Sequence, residues 1–307
     1  MLKAETIHHA TANTDELCRN TRIGAKYQIK RMIHQSELSI VYKARETDTG
    51  ETKLIKEFFP RSLAKRGQDR SSVIVRKLQG EAFAELKLLF ECEAAALKEL
   101  NHPGIIAYSD YIEMNGTAYI VMEYCKGITL EQYIKQSEDN VSPVKIAAIL
   151  RTVVDALAHV HERGFLHRDI KPANIMVEPA TGATKLIDFG SAIPSGSLDK
   201  QAILTSTGYS PLEFYSETSR QGVASDIYSL AATVYFAYAG QAPVDVKRRL
   251  FEDELTMLRS RNRQAGFFLS RIVHWGLRMS PKQRCGSLRW FEAGLRWEGL
   301  TGGWRKG

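Results

Sequence analysis

Apolar and polar positions change period part-way along this 307-residue chain. Up to residue 125, short segments alternate with a period of two, the pattern of half-buried strands. It predicts strands over residues 27–33, 39–45 and 52–58, with Asp48-Thr49-Gly50 as a hairpin connection. Two more are predicted over 105–113 and 117–124, flanking Met114-Asn115-Gly116, whose Asn-Gly pair favours a tight hairpin. Between these groups, residues 60–80 are irregular apart from a short strand over 72–76. Residues 81–100 carry Phe83, Leu86, Leu89, Phe90, Leu97 and Leu100 at spacings that suit one helix face. After Lys126-Gly127 the period is mainly helical, over 130–136, 143–163, 224–239 and onward to 299. Residues 1–26 are weakly patterned and read as a flexible arm or a short helix over 15–20. A sheet-rich part followed by a helical one is an α+β arrangement, and the cleft expected between them is where a ligand would bind.

Composition narrows this little: 44% hydrophobic and 25% charged residues are those of an ordinary soluble globular protein. The longest apolar run, residues 227–240, falls short of the roughly 18–20 residues that span a membrane. It reads as a buried core helix. The N-terminus lacks the apolar stretch of a signal peptide. Cys18, Cys92, Cys125 and Cys285 form no C-x-x-C pair, so neither a zinc site nor a disulfide framework is indicated. A cytoplasmic setting is expected, with secretion as an effector left open.

The net charge of +7 is concentrated late, with 14 Lys and Arg against 5 Asp and Glu from Val246 to Gly307. This suits a solvated basic face, or a footprint for an acidic partner, nucleic acid or anionic membrane. No aromatic-interleaved RNA motif or zinc-finger spacing singles out nucleic acid.

The chemistry concentrates in F-L-H-R-D-I-K-P-A-N-I-M-V, residues 165–177, and K-L-I-D-F-G, residues 185–190. Asp169, Asn174 and Asp188 supply hard oxygen ligands for Mg²⁺ and one carboxylate for an incoming hydroxyl, while Lys171 can neutralise a transferred phosphoryl group. Upstream, Glu93 falls on the apolar stripe of the 81–100 helix, where a carboxylate needs a cationic partner. Lys56, on the strand over 52–58, is the natural candidate.

On these motifs the chain resembles the eukaryotic-type (Hanks) Ser/Thr protein kinases, over roughly residues 27–297. The resemblance implies a bilobal fold: a small antiparallel-sheet N-lobe with one regulatory helix over 27–125, and a larger helical C-lobe over 126–300. Residues 1–26 would be an extension and 301–307 a short tail. It implies ATP and Mg²⁺, or Mn²⁺, with Asp169 as catalytic base, Lys171 beside it, and Asn174 and Asp188 on the metal. Lys56 would grip the α- and β-phosphates and pair with Glu93. Met122 takes the gatekeeper position, the backbone from Glu123 to Cys125 would bond adenine, and Ile33, Val41, Leu54 and Met176 would sandwich it. Pro211-Leu212-Glu213 stands for A-P-E, Glu213 would pair with Arg284, and Asp226 would brace the catalytic loop. Arg168 suits reading a phosphate on the activation segment, with Ser195, Ser197, Thr205, Ser206 and Thr207 as acceptors; Ser206 aligns with the family's substrate-facing threonine. The implied partners are protein substrates, acidic ones among them; oligomeric state is not indicated.

Two departures stand out. The glycine-rich loop aligns with His34-Gln35-Ser36-Glu37-Leu38-Ser39, which has no glycine. Non-glycine residues held there in strained backbone would cost on the order of 1–3 kcal/mol each, and the serine hydroxyls could donate to phosphate. The stretch between Lys56 and Glu93 resembles an insertion seen in many bacterial kinases, which points to a bacterial or phage-associated origin. A pseudokinase scaffold is the alternative that the altered loop would support, and a small-molecule kinase of related fold is a third reading.

Overall fold

The computed structural model describes residues 15–136, 142–196, 203 and 205–301. The chain forms two compact units, Met1–Phe90 with Ser109–Tyr124, and Glu91–Tyr108 with Cys125–Gly307.

The first unit is built on a six-stranded sheet of β1 (Arg22–Ile23), β2 (Tyr27–Gln35), β3 (Ser39–Glu46), β4 (Thr52–Phe58), β7 (Tyr108–Met114) and β8 (Thr117–Glu123), in the order β1-β2-β3-β4-β8-β7. Asn115 and Gly116, both at positive φ (58° and 74°), make the tight turn between β7 and β8. Alternation gives the sheet two distinct faces. On one, Phe58 packs against Phe83 and Phe90 at ring distances of 5.0 and 5.5 Å. Those two residues belong to α1 (Gly80–Glu99). On the other face Ile40, Tyr42, Ile55, Tyr119 and Val121 are fully buried. A second small hairpin, β5 (Ala64–Arg66) with β6 (Val73–Val75), occupies the stretch read as irregular.

The second unit is mainly helical: α2 (Leu130–Gln136), α3 (Pro143–Glu162), α4 (Val223–Ala239), α5 (Val246–Arg249), α6 (Leu258–Arg261), α7 (Phe267–Gly276) and α8 (Arg289–Thr301). α3 packs against α8, and α4 against α7. Every residue of α4 from Ser225 to Tyr238 is buried, as its unbroken apolar run requires. Short strands frame the loops: β9 (Ile128–Thr129) and β12 (Thr184–Leu186) flank β11 (Ile175–Val177), and β10 (Phe165–Leu166) pairs with β13 (Ile193–Pro194). Gly127 sits at φ 125°, and a Cβ there would meet Val177 O at 2.1 Å, so only glycine fits. Among the described residues no helix is long and apolar enough to cross a membrane.

Some expectations are corrected. Residues 15–20 form turns rather than a helix, and 15–26 are not a free arm: Leu17 is buried and β1 joins the sheet. Residues 1–14 and 302–307, and the candidate acceptor Ser197, lie outside the described residues. Leu89 does not belong to the buried stripe of α1; it is 51% exposed, the stripe running instead through Phe83, Phe90, Glu93, Ala94, Leu97 and Leu100. Ile105 is not in β7. It bridges in parallel to Leu186 in the second unit, which takes it out of the hairpin.

Candidate active site

The second unit gathers Asp169, Lys171 and Asn174 around one carboxylate. Asp169 Oδ2 accepts from Lys171 Nζ at 2.7 Å and from Asn174 Nδ2 at 2.7 Å. Its other oxygen accepts from the Ser206 hydroxyl at 3.0 Å, and Lys171 Nζ also reaches Ser206 Oγ at 3.0 Å. A hydroxyl is thus donating to the carboxylate that the sequence marks as the base. Pro172 starts the 3₁₀ turn that carries Asn174, so Lys171 and Asn174 point back at Asp169.

Asp226, fully buried on α4, fixes this loop from behind. Its Oδ1 accepts from Arg168 N at 2.8 Å; its Oδ2 accepts from His167 N at 2.9 Å and lies 2.8 Å from His161 Nε2. Burial alone would raise its carboxyl, but the His161 bond and charge and the His167 N–H hold it below the usual carboxylate range. These bonds hold Arg168 at φ 67°, a conformation a non-glycine residue takes only when overdetermined. Arg168 itself is buried, donates to Ser191 O at 3.5 Å and lies over Phe214. Burial keeps the His167 imidazole below its ordinary range, hence neutral, with its ring against Phe189.

Asp188 follows β12 at φ 62° and is exposed, whereas Asn174 is buried with its amide nitrogen committed to Asp169, leaving Oδ1 as its acceptor. A carboxylate and an amide oxygen are hard donors that fit a small divalent cation. Among the described residues no cluster of three or more His, Cys, Asp or Glu could hold a metal ion.

In the first unit, cross-strand register puts Val41 opposite Lys56 and Leu54 opposite Met122. These four residues therefore share one face of the sheet. Ile33 lies at a register shift between Met32 and His34 and is 42% exposed. Lys56 belongs to the first unit, Glu93 and Met176 to the second; Glu93 is buried on α1 and Met176 sits on β11. Glu123 and Cys125 fall on either side of the division.

The glycine-less turn overturns the expectation of strain. None of residues 34–39 has positive φ, so no glycine is required there. Nor do the serine hydroxyls stand idle: Ser36 Oγ accepts from Ser39 N at 3.1 Å and bonds Ser39 Oγ at 3.1 Å, while Ser36 N donates to Ser39 O at 2.9 Å.

Sequence reasoning missed a buried polar cluster behind Lys56. Glu57 is fully buried and takes a bidentate pair from Arg66, both contacts at 2.7 Å, plus the hydroxyls of Tyr42 and Tyr119 at 2.9 and 3.1 Å. Burial first, then the Glu57 charge, pushes both tyrosine hydroxyls far above their ordinary range. Burial opposes the Arg66 charge, but its bonds to Glu57 win and raise it. The available signal was the alternation Ile55–Glu57, which places a carboxylate at a core position, the same argument that singled out Glu93.

The sequence matches the family profile described as the protein kinase domain over residues 27–290. Serine/threonine-protein kinase PrkC of Bacillus subtilis is 31% identical over 231 residues, 73% of this chain and 32% of that protein. Serine/threonine-protein kinase PknB of Mycobacterium tuberculosis is 34% identical over 164 residues, 51% of this chain and 26% of that protein. Thus the chain matches only a quarter to a third of the length of these relatives. A solved structure described as PpkA-294 in its apo form superposes with a TM-score of 0.79 at 30% identity, covering 92% of this chain and 99% of that one.

Proposed function

The chain belongs to the protein kinase domain family, and on that premise we propose that it transfers the γ-phosphoryl group of ATP to serine and threonine hydroxyls of proteins, its own among them. The observation that carries this reading is the Ser206 hydroxyl donating to Asp169 with Lys171 alongside. A substrate hydroxyl exchanging for Ser206 would find the same acceptor. Asp169 would then orient it and take its proton, and Lys171 would offset charge on the phosphoryl oxygens. Mg²⁺, or Mn²⁺, would be held by Asn174 and Asp188 and would neutralise charge between the β- and γ-phosphates. In the first unit, Lys56 would hold the α- and β-phosphates. On the sheet of the first unit, Ile33, Val41 and Leu54 would offer adenine an apolar face beside the gatekeeper Met122, with the backbone of Glu123 bonding the base. The basic excess after Val246 supports acidic protein substrates.

The test is incubation of purified protein with labelled ATP·Mg²⁺ and a generic Ser/Thr substrate. Self-labelling on Ser or Thr is expected. Lys56→Ala and Asp188→Ala should each cut turnover by at least about 10²-fold while the protein stays folded. Undiminished transfer in either variant would remove these assignments, and labelling on tyrosine alone would overturn the specificity.

A further inference from the structure

The stretch from Phe59 to Val75 does more than fill space. Phe59 N donates to Leu38 O at 2.9 Å, Arg61 N to Glu37 O at 3.0 Å, and Ser62 N to the Glu37 carboxylate at 3.2 Å. The β2–β3 turn is therefore tied down from outside as well as through Ser36 and Ser39. The tying segment leads directly into β5, which ends at Arg66. All five N–H groups of that arginine are used: Glu57 takes two, Asp15 O two, and Ser71 O one. Its guanidinium also lies 4.5 Å from the Phe59 ring centroid. The far side of the hairpin is anchored too, with Val73 N on Asn115 O at 2.7 Å and Arg76 N on Leu63 O at 2.8 Å.

We infer that Glu57 and Arg66 are positioning residues for the β2–β3 turn: they fix the inserted hairpin, whose leading segment holds the turn in one shape. The functional part of this inference rests on reading that turn as the phosphate cover. A glycine-rich cover is free to close onto its ligand, whereas this turn is set in place beforehand by bonds to its neighbours. β4 is laddered on both sides, by β3 and β8, so Lys56 keeps its strand when the clamp is lost. The consequence should fall on nucleotide capture more than on turnover.

The experiment replaces the pair together, Glu57→Gln with Arg66→Met, so that no charge is stranded in the core. Hydrogen exchange should speed up about tenfold at the Phe59 and Arg61 amides, as expected when local opening becomes easier. The KM for ATP should rise about tenfold, as for a binding shape populated a tenth of the time, with kcat changed less than about threefold. A separate Glu37→Ala variant, at an exposed position, removes only the Ser62 tie and should shift exchange and KM the same way by about twofold. It decides the matter if the double variant does not fold. Unchanged exchange at these amides, or a loss confined to kcat, would overturn the inference. Failure of the parent to bind ATP·Mg²⁺ by calorimetry would instead remove the kinase reading, with exchange still deciding whether the clamp holds the turn.

Discussion

Arg284 grips Glu213 with two contacts of 2.6 and 3.0 Å, and neither side chain is more than 6% exposed. The remaining guanidinium N–H groups go to the carbonyls of Arg278, Ala224 and Met279, and Ser225 Oγ donates to Glu213 at 2.8 Å. The pair joins the 3₁₀ turn after Pro211 to the start of α4 and to the loop after α7. Removing one partner strands the other out of water. Arg284→Met should therefore cost about 3–5 kcal/mol, read as a lower denaturant midpoint with an unchanged slope. A loss under about 1 kcal/mol would mean that the pair behaves like a surface ion pair.

Asp226 gives a pH-dependent counterpart. Its carboxyl lies below the ordinary value in the folded state. Its stabilising contribution is therefore complete above the unfolded value of about 3.9 and is lost as pH falls through the lower folded value. Asp226→Asn should lower stability at neutral pH and flatten the acid limb of a stability–pH curve. An acid limb of unchanged steepness would show that other carboxylates dominate it.

Two of the cysteines lie at opposite extremes of access. Cys285 is fully buried, and burial pushes its thiol up to about 11, whereas Cys92 is exposed on α1. A thiol reagent at pH 8 should modify Cys92 quickly and reach Cys285 only at the rate of unfolding. Peptide mapping of a time course measures both, and prompt labelling of Cys285 would contradict the packing described for it.

Restoring glycines to the β2–β3 turn should harm it. With no positive φ to relieve, His34→Gly, Ser36→Gly and Ser39→Gly together lose the serine bonds and add freedom worth roughly 0.5–1 kcal/mol per residue. A lower melting temperature and a higher KM for ATP are expected. A lower KM would mean that mobility, rather than fixed shape, limits capture.

The legible parts of the site were those set by short-range order. Asp169, Lys171 and Asn174 fall within six consecutive residues, so their spacing alone brought them near one another. The Asn115-Gly116 turn and the buried α4 followed from local chemistry and apolar period. Periodicity erred at Leu89, where an apolar residue on the helix surface mimics the buried stripe. The Glu213–Arg284 contact spans 71 positions, which no periodicity reveals; only family resemblance suggested it. Neither route found Glu57 and Arg66, because their meeting depends on how an inserted hairpin folds back over the sheet, and the insertion was read as irregular.

The contacts of Asp15 and Leu17 bear on where this fold can be cut. Family similarity begins at residue 27, yet Asp15 O accepts two of the Arg66 N–H groups and Leu17 N donates to the Tyr42 hydroxyl. An expression fragment trimmed to the family boundary would strip β1 from the sheet edge, take the buried Ile23 away from its partner Tyr27, and leave donors of a buried guanidinium without acceptors. Each such loss costs about 1–3 kcal/mol, so the trimmed fragment should melt at a lower temperature than the full chain. The physical start of the folding unit lies at or before Asp15, upstream of its evolutionary signature.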